Sequence, residues 1–251
     1  MVPRRPYAAA AAGSSDNGPV TLLVDTRPPV LPSPVVLFDL DGTLTDSATG
    51  VINGFRHALT TLGVEVPAGN LVRLLGPPMT DSLRALGLDD DQVDRGTAAY
   101  REYYAATGWA ENALFDGVET MLDAVRGAGS RLAIATSKNE VFAERILRHF
   151  GVADAFEFIG GASPDGSRRA KDDVVAHSLA ALGIEPVEAP AGGTAGVVMV
   201  GDREHDVHGA GRFGIPTVFV EYGYGAAEES EHAHTAVGSV AELGRILTGE
   251  R

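Results

Sequence analysis

Two aspartates spaced two residues apart are the first feature of this sequence that can do chemistry. Asp39 and Asp41 follow a short apolar run in the segment Asp-Leu-Asp-Gly-Thr. Side chains at positions i and i+2 point the same way wherever a strand persists, so we expect both carboxylates to face one site. The glycine after them permits a tight turn and close approach of the backbone. Carboxylates in such a pair can serve as a nucleophile and as a general acid or base.

Three further polar clusters occur later in the chain, each after an apolar run or a polar loop. Thr136 and Ser137 form one, Lys171 at the predicted start of a helix forms another, and Asp202 and Asp206 form the last. A lysine and a short hydroxyl are groups that bind phosphate. Clustered aspartates with no His or Cys at ligand spacing favour Mg²⁺ over Zn²⁺, because Mg²⁺ prefers oxygen ligands.

The elements that must position these residues alternate between strands and helices. Short β-branched and aromatic runs predict strands at 35–38, 131–135, 156–159, 197–200 and 217–220. Helical patterns lie between them at 117–126, 140–150, 172–182 and 204–213. This alternation predicts an α/β fold with a doubly wound parallel sheet, in which ligands bind at the carboxyl ends of the strands. The four clusters would meet at that edge, where a divalent cation relieves the repulsion between carboxylates.

Residues 48–115 interrupt the alternation, because they contain helical patterns and no convincing strand. Helices are predicted there at 51–62, 81–86 and 91–104. We therefore expect a small all-helical cap inserted after the first core strand, where it would lie over the site as a lid. The core is expected to comprise 34–47 and 116–251. Residues 1–33, rich in Ala, Pro and Gly, are expected to be a flexible leader.

The composition is that of a soluble globular protein and excludes several classes of function. The 251 residues carry a formal net charge of −14 and include no cysteine. The acidic balance argues against a broad nucleic-acid surface, and no apolar run approaches the ~18 residues of a membrane-spanning helix. Without cysteine, thiolate catalysis and disulfides are excluded, and the composition is compatible with the cytoplasm, where we expect the protein. The expected partner is a small molecule, not a nucleic acid or a membrane.

The four ordered motifs resemble those of the haloacid dehalogenase superfamily, in its phosphoglycolate-phosphatase-like branch. The resemblance spans residues 34–250 and includes a helical cap in the usual place. It implies a magnesium-dependent phosphomonoester phosphatase in which Asp39 is the nucleophile, forming an aspartyl-phosphate, and Asp41 is the general acid and base.

The resemblance also implies the binding roles in this site. Mg²⁺ would be ligated by Asp39, Asp202 and the main-chain carbonyl of Asp41, with Asp206 bound directly or through water. The remaining predicted residues would hold the phosphoryl oxygens, namely Thr136, the Ser137 amide and Lys171.

Several neighbouring residues have plainer interpretations. Thr136 and Ser137 are expected to cap the helix after them as well as to bind phosphate, and Asp46 is expected to cap a helix. The alternative for Lys171 is that it forms only a solvated basic patch with Arg168 and Arg169, and an arginine would then take its place at the phosphate. The histidines at 205 and 208 are assigned no role. The loop at 76–79 is either a substrate-facing loop or a turn between cap helices.

Individual residues distinguish the predicted phosphatase from the alternative functions. A sugar-phosphate mutase is the main enzyme alternative, although such enzymes often have a bulky apolar residue where this chain has Thr43. A dehalogenase needs no second aspartate at Asp41, and a phosphonate hydrolase needs a lysine in the cap, where residues 48–115 have none. A catalytically silent binding module would have lost one of the key aspartates. For the substrate, 5′-nucleotides and phosphoglycolate both stay open, although residues 160–171 resemble nucleotidase-like members of the branch.

Overall fold

The computed structural model describes residues 30–66 and 79–250 of the chain. Most of the expected leader and residues 76–78 of the loop named above lie outside this part. In the described residues the strands are β1 (Val35–Phe38), β2 (Thr45–Asp46), β3 (Ala113–Leu114), β4 (Arg131–Asn139), β5 (Phe158–Ala162), β6 (Val197–Gly201), β7 (Thr217–Val220) and β8 (Thr235–Val237). The α-helices of the same part are α1 (Ala48–Thr61), α2 (Met79–Ala85), α3 (Asp90–Ala106), α4 (Val118–Gly127), α5 (Glu140–His149), α6 (Lys171–Ala181), α7 (Glu204–Gly211) and α8 (Val240–Thr248).

Six of the described strands form a parallel sheet in the order β5-β4-β1-β6-β7-β8. In the middle of this sheet, Val36 of β1 pairs with Leu132 of β4 on one side and with Val198 of β6 on the other. A strand that is buried on both faces needs a continuous apolar run, and Val-Val-Leu-Phe supplies it. The structure confirms the predicted α/β fold with its doubly wound parallel sheet.

Helices cover both faces of the sheet, because successive residues of a strand point to opposite sides. Val36 and Phe38 belong to a core cluster that includes residues of α4, α5 and α8. Val35 and Leu37 belong to a second cluster, on the other face, that includes residues of α6 and α7. Packing on both faces holds the carboxyl end of β1 in a fixed position, and Asp39 follows directly.

The helices α1, α2 and α3 have a hydrophobic cluster of their own, built on the buried side chains of Phe55, Leu59, Leu83 and Val93. We propose that this helical unit is the cap, with the bounds 48–115 that the sequence predicts. None of the described helices has both the length and the apolar composition that crossing a bilayer requires.

The structure differs from the predicted elements at short or edge segments. The segment 48–115 does contain a strand, β3, which pairs antiparallel with β2 where the chain enters and leaves the cap. β5 begins at Phe158 and not at 156, and β4 continues to Asn139. The strand β8 and the helix α8 were not predicted. Strands of two or three residues contain too little periodicity to be recognised in a sequence.

Candidate active site

The predicted clusters converge at the carboxyl edge of the sheet, around the ends of β5, β4, β1 and β6. Asp39 follows β1 and donates its backbone N–H to Val200 of β6 at 2.9 Å. Asp202 follows β6, and Lys171 opens α6 after the loop that leaves β5. The order of the strands therefore brings together residues that are more than 160 positions apart in the chain.

Three buried carboxylates form the centre of the site. Asp39, Asp202 and Asp206 each present an oxygen within 4.8 Å of the others. Burial, followed by the charges of Asp39 and Asp206, raises the pKa of Asp202 to about 8. Burial also raises the pKa of Asp206 to about 6, although the Lys171 charge opposes it. The three carboxylates offer only oxygen ligands, and the raised pKa values of Asp202 and Asp206 reflect the cost of keeping the whole cluster charged. Both features fit a hard divalent cation such as Mg²⁺.

Lys171 is buried within the carboxylate cluster. Its Nζ lies 2.8 Å from Asp39 Oδ1 and 2.6 Å from Asp206 Oδ1, and it donates a hydrogen bond to the carbonyl of Ala135 at 3.0 Å. Burial alone would lower the pKa of this ammonium, but the two carboxylates outweigh burial and raise it. A Cβ at Gly209 of α7 would lie 2.6 Å from Cγ of Lys171, so this glycine makes room for the lysine stem.

Asp202 is oriented by the turn after β1 and by the loop after β7. Its Oδ1 accepts a hydrogen bond from Thr43 Oγ1 at 3.3 Å, and its Oδ2 accepts one from the Tyr224 backbone N–H at 2.7 Å. Gly42 has a φ of +83°, and a Cβ at this position would collide with the Asp202 carboxylate. The glycine of the Asp-x-Asp-Gly segment is therefore required both for its backbone conformation and for the close approach of Asp202.

Asp41 lies apart from the carboxylate cluster. Because β1 ends at Phe38, the alternation of a strand does not orient Asp41 in the way the sequence suggested. Instead Asp41 forms an isolated bridge with Thr45, and its Oδ2 accepts a hydrogen bond from Lys138 Nζ at 2.7 Å. Asp39 and Asp41 therefore have different cationic partners, the first Lys171 and the second Lys138.

Thr136 and Ser137 lie in the last part of β4, beside the site. Thr136 is buried, and its Oγ1 accepts the backbone N–H of Lys138 at 3.2 Å. The prediction that these two residues cap the next helix is wrong, because β4 continues to Asn139. The Asn139 side chain caps α5 by accepting the Val141 N–H at 3.1 Å.

The residues that the sequence predicts to cap a helix or to lie on the surface are outside the carboxylate cluster. The N-cap residue of α1 is Ser47 and not Asp46, although Asp46 Oδ1 accepts the N–H of Ala48, the first residue of α1, at 3.1 Å. Arg168 is bonded to Glu140 at 2.7 Å, and Arg169 is exposed, so neither substitutes for Lys171. The histidines at 205 and 208 are exposed, as expected for residues without a role.

Sequence reasoning missed three residues that line the site. Lys138 directly follows Thr136 and Ser137 in the chain, and that position was the available signal for it. Tyr224 was not identified, although its hydroxyl donates to Asp46 Oδ1 at 2.8 Å and its backbone binds Asp202. Tyr104 of α3 was not identified either, and its ring lies 4.8 Å from Lys138 Nζ. No local pattern marks either tyrosine, because each reaches the site only through the tertiary fold.

Comparison with known proteins places this arrangement in a family. Residues 36–220 match the family described as haloacid dehalogenase-like hydrolase. Tyrosine-protein kinase PtkA of Mycobacterium tuberculosis is 52% identical over 204 residues, which cover 81% of this chain and 67% of that protein. A 5′-nucleotidase of Pseudomonas aeruginosa is 36% identical over 222 residues, which cover 88% of this chain and 96% of that protein.

A solved structure supports the same assignment. The crystal structure of a predicted phosphatase from Clostridium acetobutylicum superimposes with a TM-score of 0.76 at 36% identity, covering 86% of this chain and 98% of that one. The ordered motifs, the sheet and these similarities agree with one another. The chain belongs to the haloacid dehalogenase-like hydrolase family and is a phosphatase.

Proposed function

We propose that this chain is a Mg²⁺-dependent phosphomonoester phosphatase that works through an aspartyl-phosphate on Asp39. The observation that carries the proposal is the buried cluster of Asp39, Asp202 and Asp206 with Lys171 in contact. Three desolvated carboxylates need compensating positive charge, and the lysine supplies only part of it. Asp39, Asp202 and the Asp41 carbonyl would hold Mg²⁺, with Asp206 as a direct or water-mediated ligand. When bound, the ion supplies charge stabilisation for the phosphoryl oxygens.

The proposed reaction has two steps. In the first, a carboxylate oxygen of Asp39 attacks phosphorus, the bond from phosphorus to the leaving oxygen breaks, and Asp41 gives that oxygen a proton. In the second, Asp41 takes a proton from water, the water oxygen attacks phosphorus, and the Asp39–phosphate bond breaks. The covalent intermediate replaces one difficult transfer by two easier ones.

The groups around the nucleophile would position the transferring phosphoryl. Lys171, the Thr136 hydroxyl and the Ser137 amide offer a point charge and two hydrogen-bond donors from neighbouring strand ends. Donors fixed in a partly desolvated site stabilise developing charge without reorganising during the reaction.

The proposed substrates are small phosphorylated metabolites, with 5′-nucleotides ahead of phosphoglycolate. Support comes from the relative named 5′-nucleotidase, nearly all of which this chain covers. A panel of 5′-nucleotides, phosphoglycolate and sugar phosphates, assayed for phosphate release with Mg²⁺, would test this choice. We expect hydrolysis that stops in excess chelator. Full turnover without divalent metal would refute the metal assignment, and isomerised sugar phosphate in place of free phosphate would identify a mutase.

A second candidate is transfer of the phosphoryl group to a tyrosine hydroxyl. The observation that favours it is the 52% identity to a protein named tyrosine-protein kinase. The same Asp39 phosphate would pass to a phenolic oxygen in place of water, with Asp41 as the base. Incubation with labelled ATP and a tyrosine-containing polymer tests this second activity, since phosphoryl transfer would leave the label on tyrosine. Tyrosine that stays unlabelled would rule the transfer out.

A further inference from the structure

Lys138 contacts Asp41 but has no task in the reaction proposed above. Its Nζ lies 2.7 Å from Asp41 Oδ2. The other oxygen of that carboxylate, Oδ1, is buried and has no hydrogen-bond partner among the described residues. Lys138 therefore fixes one oxygen of Asp41, and the second oxygen has no partner of its own among these residues.

Lys138 lies in an irregular part of β4, which places its side chain beside Asp41. The pairing of β4 with β5 is regular from Ala133 to Ala135 and resumes only at Asn139. Such irregularities next to active sites redirect side chains that a regular strand would place elsewhere. The Thr136 hydroxyl accepts the Lys138 N–H, which fixes the backbone of the irregular segment.

The other side of Lys138 is covered by the cap. Its Nζ lies 4.8 Å from the ring centroid of Tyr104, within the range of a cation–π interaction. Tyr104 is buried, stacks on Tyr100 of α3 at 5.6 Å, and packs edge-on against Phe142 of α5 at 5.4 Å. The ammonium group thus lies between Asp41 of the core and an aromatic ring of the cap.

We propose that Lys138 is a positioning residue that ties the orientation of Asp41 to the seating of the cap. With α3 seated, Tyr104 shields Lys138 from water, and Lys138 holds Asp41 through Oδ2 in one orientation toward the leaving oxygen. If α3 moves away, water screens the ion pair and weakens this hold. Proton transfer is thereby reserved for a substrate that the cap encloses. The inference rests on the proposed role of Asp41 as acid and base.

Leaving-group dependence tests the role of Lys138. Lys138→Met keeps the stem and removes the charge. We expect kcat/KM, which reports the steps up to phosphoenzyme formation, to fall by about tenfold or more for an alkyl phosphate. For an aryl phosphate, whose leaving group needs little protonation, it should fall by less than about threefold. Lys138→Gln, which can still donate a hydrogen bond to Asp41, should recover part of the alkyl rate. It also provides the comparison if the Met variant does not fold.

Variants of the cap test the link through Tyr104. Tyr104→Leu removes the ring and should lower the alkyl-to-aryl ratio of kcat/KM, whereas Tyr104→Phe, which keeps the ring, should lower it less. Because the ring would act through Lys138, adding Tyr104→Leu to Lys138→Met should lower that ratio no further.

Arg145→Met is the matched control for general loosening of the cap. It removes another contact between core and cap, in which the guanidinium lies 3.7 Å from the ring centroid of Trp109, and it does not touch Asp41. Arg145 also donates a hydrogen bond to the Ala105 carbonyl of α3 at 3.2 Å, so the variant loosens the cap but leaves the Tyr104 ring beside Lys138. We expect it to lower the alkyl-to-aryl ratio less than Tyr104→Leu does. Equal slowing of both esters by Lys138→Met, or a fall in the ratio with Arg145→Met as large as with Tyr104→Leu, would overturn the inference alone. Absence of phosphate release by the wild type would refute the proposed function and the inference with it.

Discussion

The site consists of two regions that are built differently. Asp39, the proposed nucleophile, lies with Lys171, Asp202 and Asp206 in what we call the nucleophile region. Asp41, the proposed acid and base, lies with Lys138 and Tyr104 in what we call the acid–base region. In the first, all side chains come from the sheet edge and the helices that follow it, and those of Lys171 and Asp206 are 5% and 1% exposed. In the second, the Asp41 side chain is 29% exposed and the tyrosine belongs to the cap.

The two proposed chemical tasks, attack on phosphorus and proton transfer, therefore depend on different parts of the fold. The nucleophile region is enclosed by the packed core, so its geometry is set as soon as the sheet forms. The acid–base region is complete only when a cap helix is in place. Attack by Asp39 should therefore tolerate changes in the cap that proton transfer by Asp41 does not.

The largest effect should follow from removing the proposed nucleophile. Asp39→Asn keeps the size of the side chain and removes charge repulsion, so the fold should persist while turnover falls by more than ~10². Phosphate release and thermal unfolding measure the two outcomes. Asp123→Asn, an exposed carboxylate on α4, is the matched control and should behave as the wild type does. Activity of Asp39→Asn above about one per cent of the wild type would mean that another group attacks phosphorus.

A smaller effect, on stability, should report metal binding in the nucleophile region. The folded pKa of Asp202, about 8, lies above its ordinary value of 3.8. The metal-free folded state therefore holds a proton that the unfolded chain has lost, and its stability decreases as pH rises from about 4 to 8. Mg²⁺ requires the deprotonated carboxylate, so the rise in Tm on adding Mg²⁺ should be larger at about pH 8 than at about pH 5.

Thermal unfolding at the two pH values, with and without MgCl₂, measures this dependence. For a chain of this size each kcal/mol of binding free energy shifts Tm by about 2–4 °C. Asp202→Asn is the control and should abolish most of the shift. A Mg²⁺-induced rise in Tm that is the same at both pH values would contradict metal binding through Asp202.

The sequence predicts that the residues of the nucleophile region meet at one edge of the sheet, and the structure brings them together there for a physical reason. Asp39 and Asp202 each follow an apolar run that can only be a buried strand, and parallel strands align their carboxyl ends. The order of strands in the sheet then places the two aspartates together without further information. The same logic identified Lys171 from its position at the start of a helix.

Sequence reasoning failed where position depends on irregular or distant structure. The redirection of Lys138 follows from an irregularity in β4, which leaves no periodic signal. Tyr104 reaches the site because α3 packs over the core, and packing between two units is not encoded in local spacing. Asn139 caps α5 in place of Thr136, because β4 continues beyond its apolar run to Asn139.

The most direct test of the division into two regions is the fate of Asp41→Asn with an aryl phosphate. This variant keeps the attacking carboxylate and loses the group that activates water, so phosphoenzyme should form and then persist. Acid quenching of a reaction with labelled aryl phosphate, followed by peptide mapping, should place the label on Asp39, while an alkyl phosphate should label far more slowly. Label on another residue, or equal slowing of both esters in the labelling step, would contradict the assignment of attack to Asp39 and proton transfer to Asp41.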